Sequence, residues 1–320
     1  LDIDPEKYDL YKKIGHAYND KNDFDSAIKY YKKYSQIFVD DADILSNIAG
    51  AYLRRGNYKK SISSLEEAVL LSNEEIYLKR SLLHHKYYSN NLDANQYIKN
   101  INILLDKSKN DIDSMDTYYS LKDFYIHSGK IKKSYEYVKK IALMHKNKFG
   151  YISSMDFILD KEQLYIFKNL NMMDSVKTYL NYYEEHTVPP YDNMVPYMKC
   201  LYYLYSENYE MLATTTDAAE SGLADFWVQC YKHKIGYLIG KTLESKGEYE
   251  NALNTYIESL ALYPRHYDLR KAIGRVYRFL GNYDKSINIF TELLLPFPIS
   301  GELNFEIAKS ESIKAIALIR

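Results

Sequence analysis

Hydrophobic and small positions recur along this chain with a period of about 34 residues, on top of the three-to-four-residue spacing of one helix face. The set Ile14, Gly15, Tyr18, Phe24, Ala27 and Tyr31 returns one period later as Ile48, Ala49, Tyr52, Tyr58, Ser61 and Leu65. Towards the other end, Ile239, Gly240, Gly247, Tyr249, Ala252, Tyr256 and Pro264 return as Ile273, Gly274, Gly281, Tyr283, Ser286, Phe290 and Pro298. Each set reads as two helices, A and B, joined by a tight turn. The turns fall at Gly56-Asn57-Tyr58, Gly247-Glu248-Tyr249 and Gly281-Asn282-Tyr283, where the glycine takes positive φ and the next aromatic packs back. Small residues at Gly15, Ala49, Gly240 and Gly274 on helix A let the helices approach closely. Ala27, Ser61, Ala252 and Ser286 do the same on helix B. Tyr18, Tyr31, Tyr52, Tyr256, Tyr277 and Phe290 fill the space around those contacts.

Between the ends the pattern decays. Leu121, Tyr125, Gly129, Ile131, Ser134 and Val138 fit a unit starting near Met115. Leu164, Phe167, Met173, Val176 and Leu180 fit one near Phe157, and Cys200, Tyr203, Tyr209 and Leu212 fit one near Asn193. A weak unit lies between Ile76 and Asn110. From Ile14 to Ile239 the numbering advances by 225, whereas six periods of 34 take 204. The surplus of 21 is expected as longer loops or helices in the middle, at 147–155 and around 186–196. Val188-Pro189-Pro190-Tyr191 is the candidate hinge, because two prolines forbid helix there.

This pattern resembles the tetratricopeptide repeat: a large residue, Leu-Gly and Tyr on helix A, Ala and Phe on helix B, Pro at the end. The resemblance implies an all-α, right-handed superhelical solenoid of about eight to nine antiparallel helix pairs. The expected organisation is an N-terminal block, 1–186, with regular repeats 8–41 and 42–75 and degenerate repeats over 76–186. A C-terminal block, 187–320, holds a degenerate repeat 193–226, regular repeats 233–266 and 267–300, and a partial repeat 301–320. Pro5 falls in the slot that ends a preceding repeat, and 310–320 reads as helix B of an unfinished unit, so the chain is expected to be a piece of a longer array.

Composition narrows the function. Forty-two basic and 43 acidic residues leave a net charge of −1, which argues against a general nucleic-acid binder. No apolar run reaches the length of roughly 18 residues that a membrane span needs. Two cysteines, Cys200 and Cys230, make no disulfide framework. The 36 tyrosines are accounted for first by an AT-rich genome, since Lys, Asn and Ile are also plentiful, and second by an aromatic binding surface.

Candidate chemistry is thin. Gly236-Tyr-Leu-Ile-Gly240-Lys241-Thr242 is one residue short of a phosphate loop and lies inside a helix with no strand before it. Cys230 and His233 are two ligands where zinc needs about four, and Cys200 fills a small-residue slot. His84-His85 stands alone. Glu66-Glu67 and Glu184-Glu185 read as solvated helix faces. Neither metal nor cofactor is expected, and the chain reads as a non-enzyme.

Two sets of side chains suit partner binding. In arrays of this family, helix A faces line the inner groove, and one known use is a carboxylate clamp for an acidic C-terminal peptide. Lys12 and Asn47 match two of its slots. His16 stands where the clamp has Asn, and Tyr77 and Ser81 hold the third-helix slots. The second set is Lys271, Arg275 and Arg278, at i, i+4 and i+7 on one helical stripe. Lys234, Tyr237 and Lys241 hold equivalent slots on the preceding helix A. Such a strip suits an acidic peptide or an anionic polysaccharide, with Arg contacting carboxylates bidentately. The leading expectation is therefore a protein–protein interaction scaffold. The alternatives are the repeat portion of a bacterial envelope or polysaccharide-export assembly, and a regulatory or peptide-sensing arm of a larger protein.

Overall fold

A computed structural model describes residues 5–72, 75–108, 110–150, 157–188, 194–222 and 225–319, with the side chains at 5–8 and 217–233 left out of the description. The described residues form α-helices in pairs and no strand. The pairs are α1 (Pro5–Asp20) with α2 (Phe24–Ser35), α3 (Ala42–Arg54) with α4 (Tyr58–Leu71), and α5 (Ile76–Tyr88) with α6 (Ala94–Lys107). Then come α7 (Asp111–His127) with α8 (Ile131–Phe149), α9 (Lys161–Asn169) with α10 (Met173–His186), and α11 (Val195–Tyr205) with α12 (Tyr209–Gly222). The last are α13 (Asp225–Ser245) with α14 (Tyr249–Leu262), α15 (Tyr267–Phe279) with α16 (Tyr283–Leu294), and α17 (Gly301–Ile319). This is the expected tetratricopeptide-like arrangement.

One backbone device makes every pair. Gly56, Gly247 and Gly281 have φ of 69°, 77° and 77°, as the turns require, and Gly129 has 70°. The remaining A-to-B turns use Asn22, Asn90, Asn171 and Glu207 at φ of 55–60°. Asn tolerates the left-handed region; Glu207 has no such excuse. Helix starts are capped by side chains where the sequence allows it. Asp23, Asp41, Asn57, Asp93 and Asp160 each accept a backbone N–H of the first turn.

The small slots are filled as expected. A Cβ on Gly15 would stand 2.5 Å from the Tyr31 ring, and one on Gly240 would collide with the Tyr256 ring. The large residue on helix B thus occupies the place of the side chain missing from helix A. Buried tyrosines then need a partner for their hydroxyl. Tyr31 meets His16 Nδ1 at 2.9 Å, Tyr97 meets His84 Nδ1 at 3.1 Å, and Tyr256 donates to Glu244 Oε1 at 2.5 Å. Part of the tyrosine excess is therefore core.

The helices pack as two compact units. Unit 1 is Leu1–Asp113, Pro264–Tyr267 and Tyr283–Arg320; unit 2 is Ser114–Tyr263 and Asp268–Asn282. Unit 1 has a core of Ile44, Ile48, Ala49, Leu65, Ala68 and Leu78, and a second around Phe290, Leu293 and Leu303. It joins segments far apart in sequence. Asn22 Nδ2 donates to the Pro264 carbonyl at 2.9 Å, Arg265 pairs with Asp20 at 2.9 Å, and the Tyr58 hydroxyl donates to the Leu295 carbonyl at 2.6 Å. The Tyr88 and Phe297 rings meet edge to face at 5.1 Å. Unit 2 is built on Leu159, Leu164, Ile166, Val176, Leu180 and Cys200, among others.

Part of the surplus over a strict period sits in helices. α7 has 17 residues, α8 has 19 and α13 has 21. α8 absorbs 147–149 of the expected loop, while 151–156 and Pro189–Tyr191 of the proposed hinge lie outside the described residues.

Candidate functional site

In unit 2 the first helices of several pairs are linked by side chains, in one case across two intervening pairs. Lys122 of α7 pairs with Glu162 of α9, and Lys161 of α9 with Asp268 of α15. The Lys234 ammonium of α13 lies 5.9 Å from the centre of the Tyr197 ring of α11. Arg275 of α15 reaches Glu244 of α13. Among these links, Lys234 and Arg275 belong to the C-terminal basic set.

The basic set is organised around a carboxylate that the sequence reading did not single out. Arg275 Nε and Nη2 donate to Glu244 Oε2 and Oε1 at 2.9 and 2.7 Å, and the Tyr256 hydroxyl takes Oε1 as well. Lys241 is left 3.7 Å from Oε1. Burial alone raises the Glu244 carboxyl, but Arg275, Lys241 and Tyr256 together carry it below its ordinary value. Burial pulls Arg275 down, and Glu244 more than restores it. Burial also pulls Lys241 down; the charges of Arg275 and Lys271 add to this, Glu244 opposes it, and the ammonium settles at about 8. Lys241 is therefore a cation held close to other cations, with its nearest carboxylate already engaged.

The remaining candidates divide. Lys271 and Tyr237 are half-buried, and the Tyr237 ring lies 6.1 Å from that of Tyr256. Arg278 does not share the exposed stripe: it is 3% exposed, because this part of the helix turns into the core beside Gly274 and Val276. In unit 1, Lys12 bonds Asp41 at 3.2 Å and lies over the Tyr34 ring, while His16 is engaged by Tyr31. Asn47 is half-buried. Two of the clamp-like positions thus serve the packing of the first two pairs.

The weak chemical candidates resolve as packing. Gly236 to Thr242 lies inside α13, and Gly240 faces Tyr256. Cys200 is buried, and burial pushes its thiol to about 12, which makes it unreactive at neutral pH. Burial takes His84 and His85 to about 4, so both are neutral and serve as hydrogen-bond partners, His85 to Ser61 at 2.6 Å. The side chains of Cys230 and His233 lie outside the described residues. Among the described residues no three His, Cys, Asp or Glu groups are placed to share a metal ion, and no helix is long and apolar enough to cross a membrane.

Sequence reasoning also missed Lys122. It sits one residue after Leu121, in the slot held by Gly15, Ala49 and Gly240 elsewhere. Its counterpart on α8 is Val138, where other repeats carry Tyr31 or Tyr256. The small–large pair is exchanged, and a lysine 1% exposed is the result. A charged residue in a small slot was the available signal.

The description "Tetratricopeptide repeat" matches residues 12–75 and 237–300. No curated protein matches at a significant level. Among solved structures, a tetratricopeptide repeat protein from Parabacteroides merdae shares 13% identity over 85% of this chain and 99% of its own, with a TM-score of 0.52. The TPR domain of P58(IPK) shares 10% over 98% and 100%, with a TM-score of 0.36. The TPR2AB domain of yeast Sti1, solved in complex with pHSP90, shares 15% over 96% and 99%, with a TM-score of 0.33. The first of these is a likeness of fold alone.

Proposed function

Because this chain is a tetratricopeptide repeat protein, with matched repeats at 12–75 and 237–300, we propose that it is a non-enzymatic scaffold that takes an acidic segment of a protein partner on the helix A face of unit 2. The observation that carries this reading is Lys241. Its ammonium is depressed to about 8 beside Arg275 and Lys271, while Glu244 is gripped by Arg275 and Tyr256. An incoming carboxylate relieves that repulsion and gains a charge-assisted hydrogen bond. Strongly perturbed groups of this kind cluster at functional sites. Lys271, Lys234 and Tyr237 flank Lys241 as further contacts, and Arg275 holds the site in shape.

The test is binding of a fluorescein-labelled hexaglutamate peptide to the full chain, read by anisotropy. Replacing Lys241 and Lys271 together with Gln should weaken capture by about tenfold or more, since a buried charge-assisted contact is worth about 1.5–3 kcal/mol. Unchanged capture by the double variant would remove this surface. An anionic sugar polymer, polygalacturonate, serves as the competing arm; preference for it over the peptide would redirect the reading to a polysaccharide.

A further inference from the structure

Unit 2 also contains a cleft of acidic character, about 370 Å³ in volume, bounded by α7, α8 and the start of α9. Asp123, Asp160 and Glu162 line it with a single ammonium, that of Lys122. Lys122 lies 2.5 Å from Glu162 Oε2 and 3.1 Å from Asp123 Oδ1, so its charge is already shared by two carboxylates. Asp160 stands apart as the cap of α9. The lining therefore has a formal charge of −2, concentrated on Asp160 and Glu162, since burial raises the Asp123 carboxyl, while Lys161 beside the cleft offsets part of it.

The walls are aromatic. Tyr119 and Phe157 meet edge to face at 5.7 Å, His145 stacks on Phe157 at 5.3 Å, and the Tyr119 hydroxyl and His145 Nε2 are 3.0 Å apart. Burial lowers the His145 pKa, so the ring adds no positive charge at neutral pH. Gln163 also lines the cleft; it is 2% exposed, and its Oε1 is buried without a donor. A buried amide oxygen left in this way costs stability unless a donor arrives.

We propose that this cleft receives the guanidinium of an arginine presented by a protein partner. The chemistry selects that group. Guanidinium is a flat cation that stacks on aromatic faces, and its fan of N–H donors reaches several acceptors at once. Gln163 Oε1 and the Asp160 carboxylate are such acceptors, and the excess negative charge supplies the electrostatic complement. The inference does not rest on the acidic-segment reading at Lys241, since it uses other residues and the opposite charge.

The test is calorimetric titration of the full chain with acetyl-Gly-Arg-Gly-amide, its citrulline counterpart and agmatine. Citrulline keeps the shape and removes the charge. The arginine peptide should bind at least about tenfold more tightly than the citrulline peptide, because a site built for a donor set rejects its mismatch strongly. Asp160→Asn keeps a capping side chain, and Gln163→Met keeps the volume; each should weaken arginine-peptide binding by about tenfold and leave hexaglutamate capture unchanged. Thermal midpoints show that the variants are folded, and Gln163→Met decides the matter if Asp160→Asn is not. Equal affinity for the two peptides, or undiminished binding in Gln163→Met, overturns the proposal. Agmatine binding much more tightly than the peptide overturns the assignment to a protein-borne arginine in favour of a small free cation.

Discussion

The guanidinium of Arg275 holds both carboxylate oxygens of Glu244, at 2.9 and 2.7 Å, across two helices. Both side chains are largely buried, so the pair is a structural element and its loss is costly. Arg275→Met leaves Glu244 buried with only the Tyr256 hydroxyl and the distant Lys241 in support, and should lower stability by about 3 kcal/mol in urea denaturation. Lys241→Met removes a cation held against its neighbours, and should leave stability equal or higher by about 1 kcal/mol at neutral pH. The opposite ranking would mean that Lys241, and not Arg275, organises the cluster.

Glu207 occupies a turn position where other pairs use Gly or Asn. Its φ of 59° costs a non-glycine residue about 1 kcal/mol. Its ion pair with Lys168 is exposed and contributes little. Glu207→Gly should therefore stabilise the protein by about 1 kcal/mol, and Gly247→Ala should destabilise it by a similar amount. Gly240→Ala should cost about 2–3 kcal/mol, because the added methyl meets the Tyr256 ring inside the core. Thermal unfolding of the three variants checks the order, and a Gly240→Ala variant as stable as the parent would refute the packing of this slot.

The repeat was legible because its rules are local. Gly15 against Tyr31 and Gly240 against Tyr256 obey one size relation at one spacing, and the turn glycines announce their φ. Asn22 and Asn90, one period either side of Gly56, carry the same turn less visibly. What stayed hidden depends on three-dimensional partners. Glu244 looks like any helix carboxylate until Arg275 and Tyr256 converge on it. Arg278 shares a stripe with Arg275 by spacing alone, and burial separates them. Lys122 keeps the repeat spacing but breaks its size rule, because the large partner on helix B is replaced by Val138. The meeting of Tyr58 with Leu295 has no local signature at all.

That last contact gives unit 1 a testable seam. Tyr58→Phe removes a hydrogen bond whose net worth is about 1 kcal/mol, and Arg265→Met removes the exposed pair with Asp20. Together they should loosen the 295–300 segment against the turns of the first repeats, with faster amide hydrogen exchange there and little change within α3 and α4. Unchanged exchange across 295–300 would show that this seam contributes nothing to holding the segment.

Lys241 also fixes a pH signature. Its folded value of about 8 lies below its ordinary 10.5, so the charged form is disfavoured by folding. The unfolded chain binds the extra proton between those values, and stability should rise with pH from about 8 towards 10. Lys241→Met should flatten that rise.

The most direct measurement is hexaglutamate binding to the full chain from pH 6.5 to 9.5, for the parent and for Lys241→Gln, at constant ionic strength. Anion capture needs Lys241 charged, so affinity for the parent should fall as pH passes about 8, and the variant should bind weakly without that step. Equal affinity for both proteins, or a parent curve flat through pH 8, would contradict a carboxylate-binding role for this face.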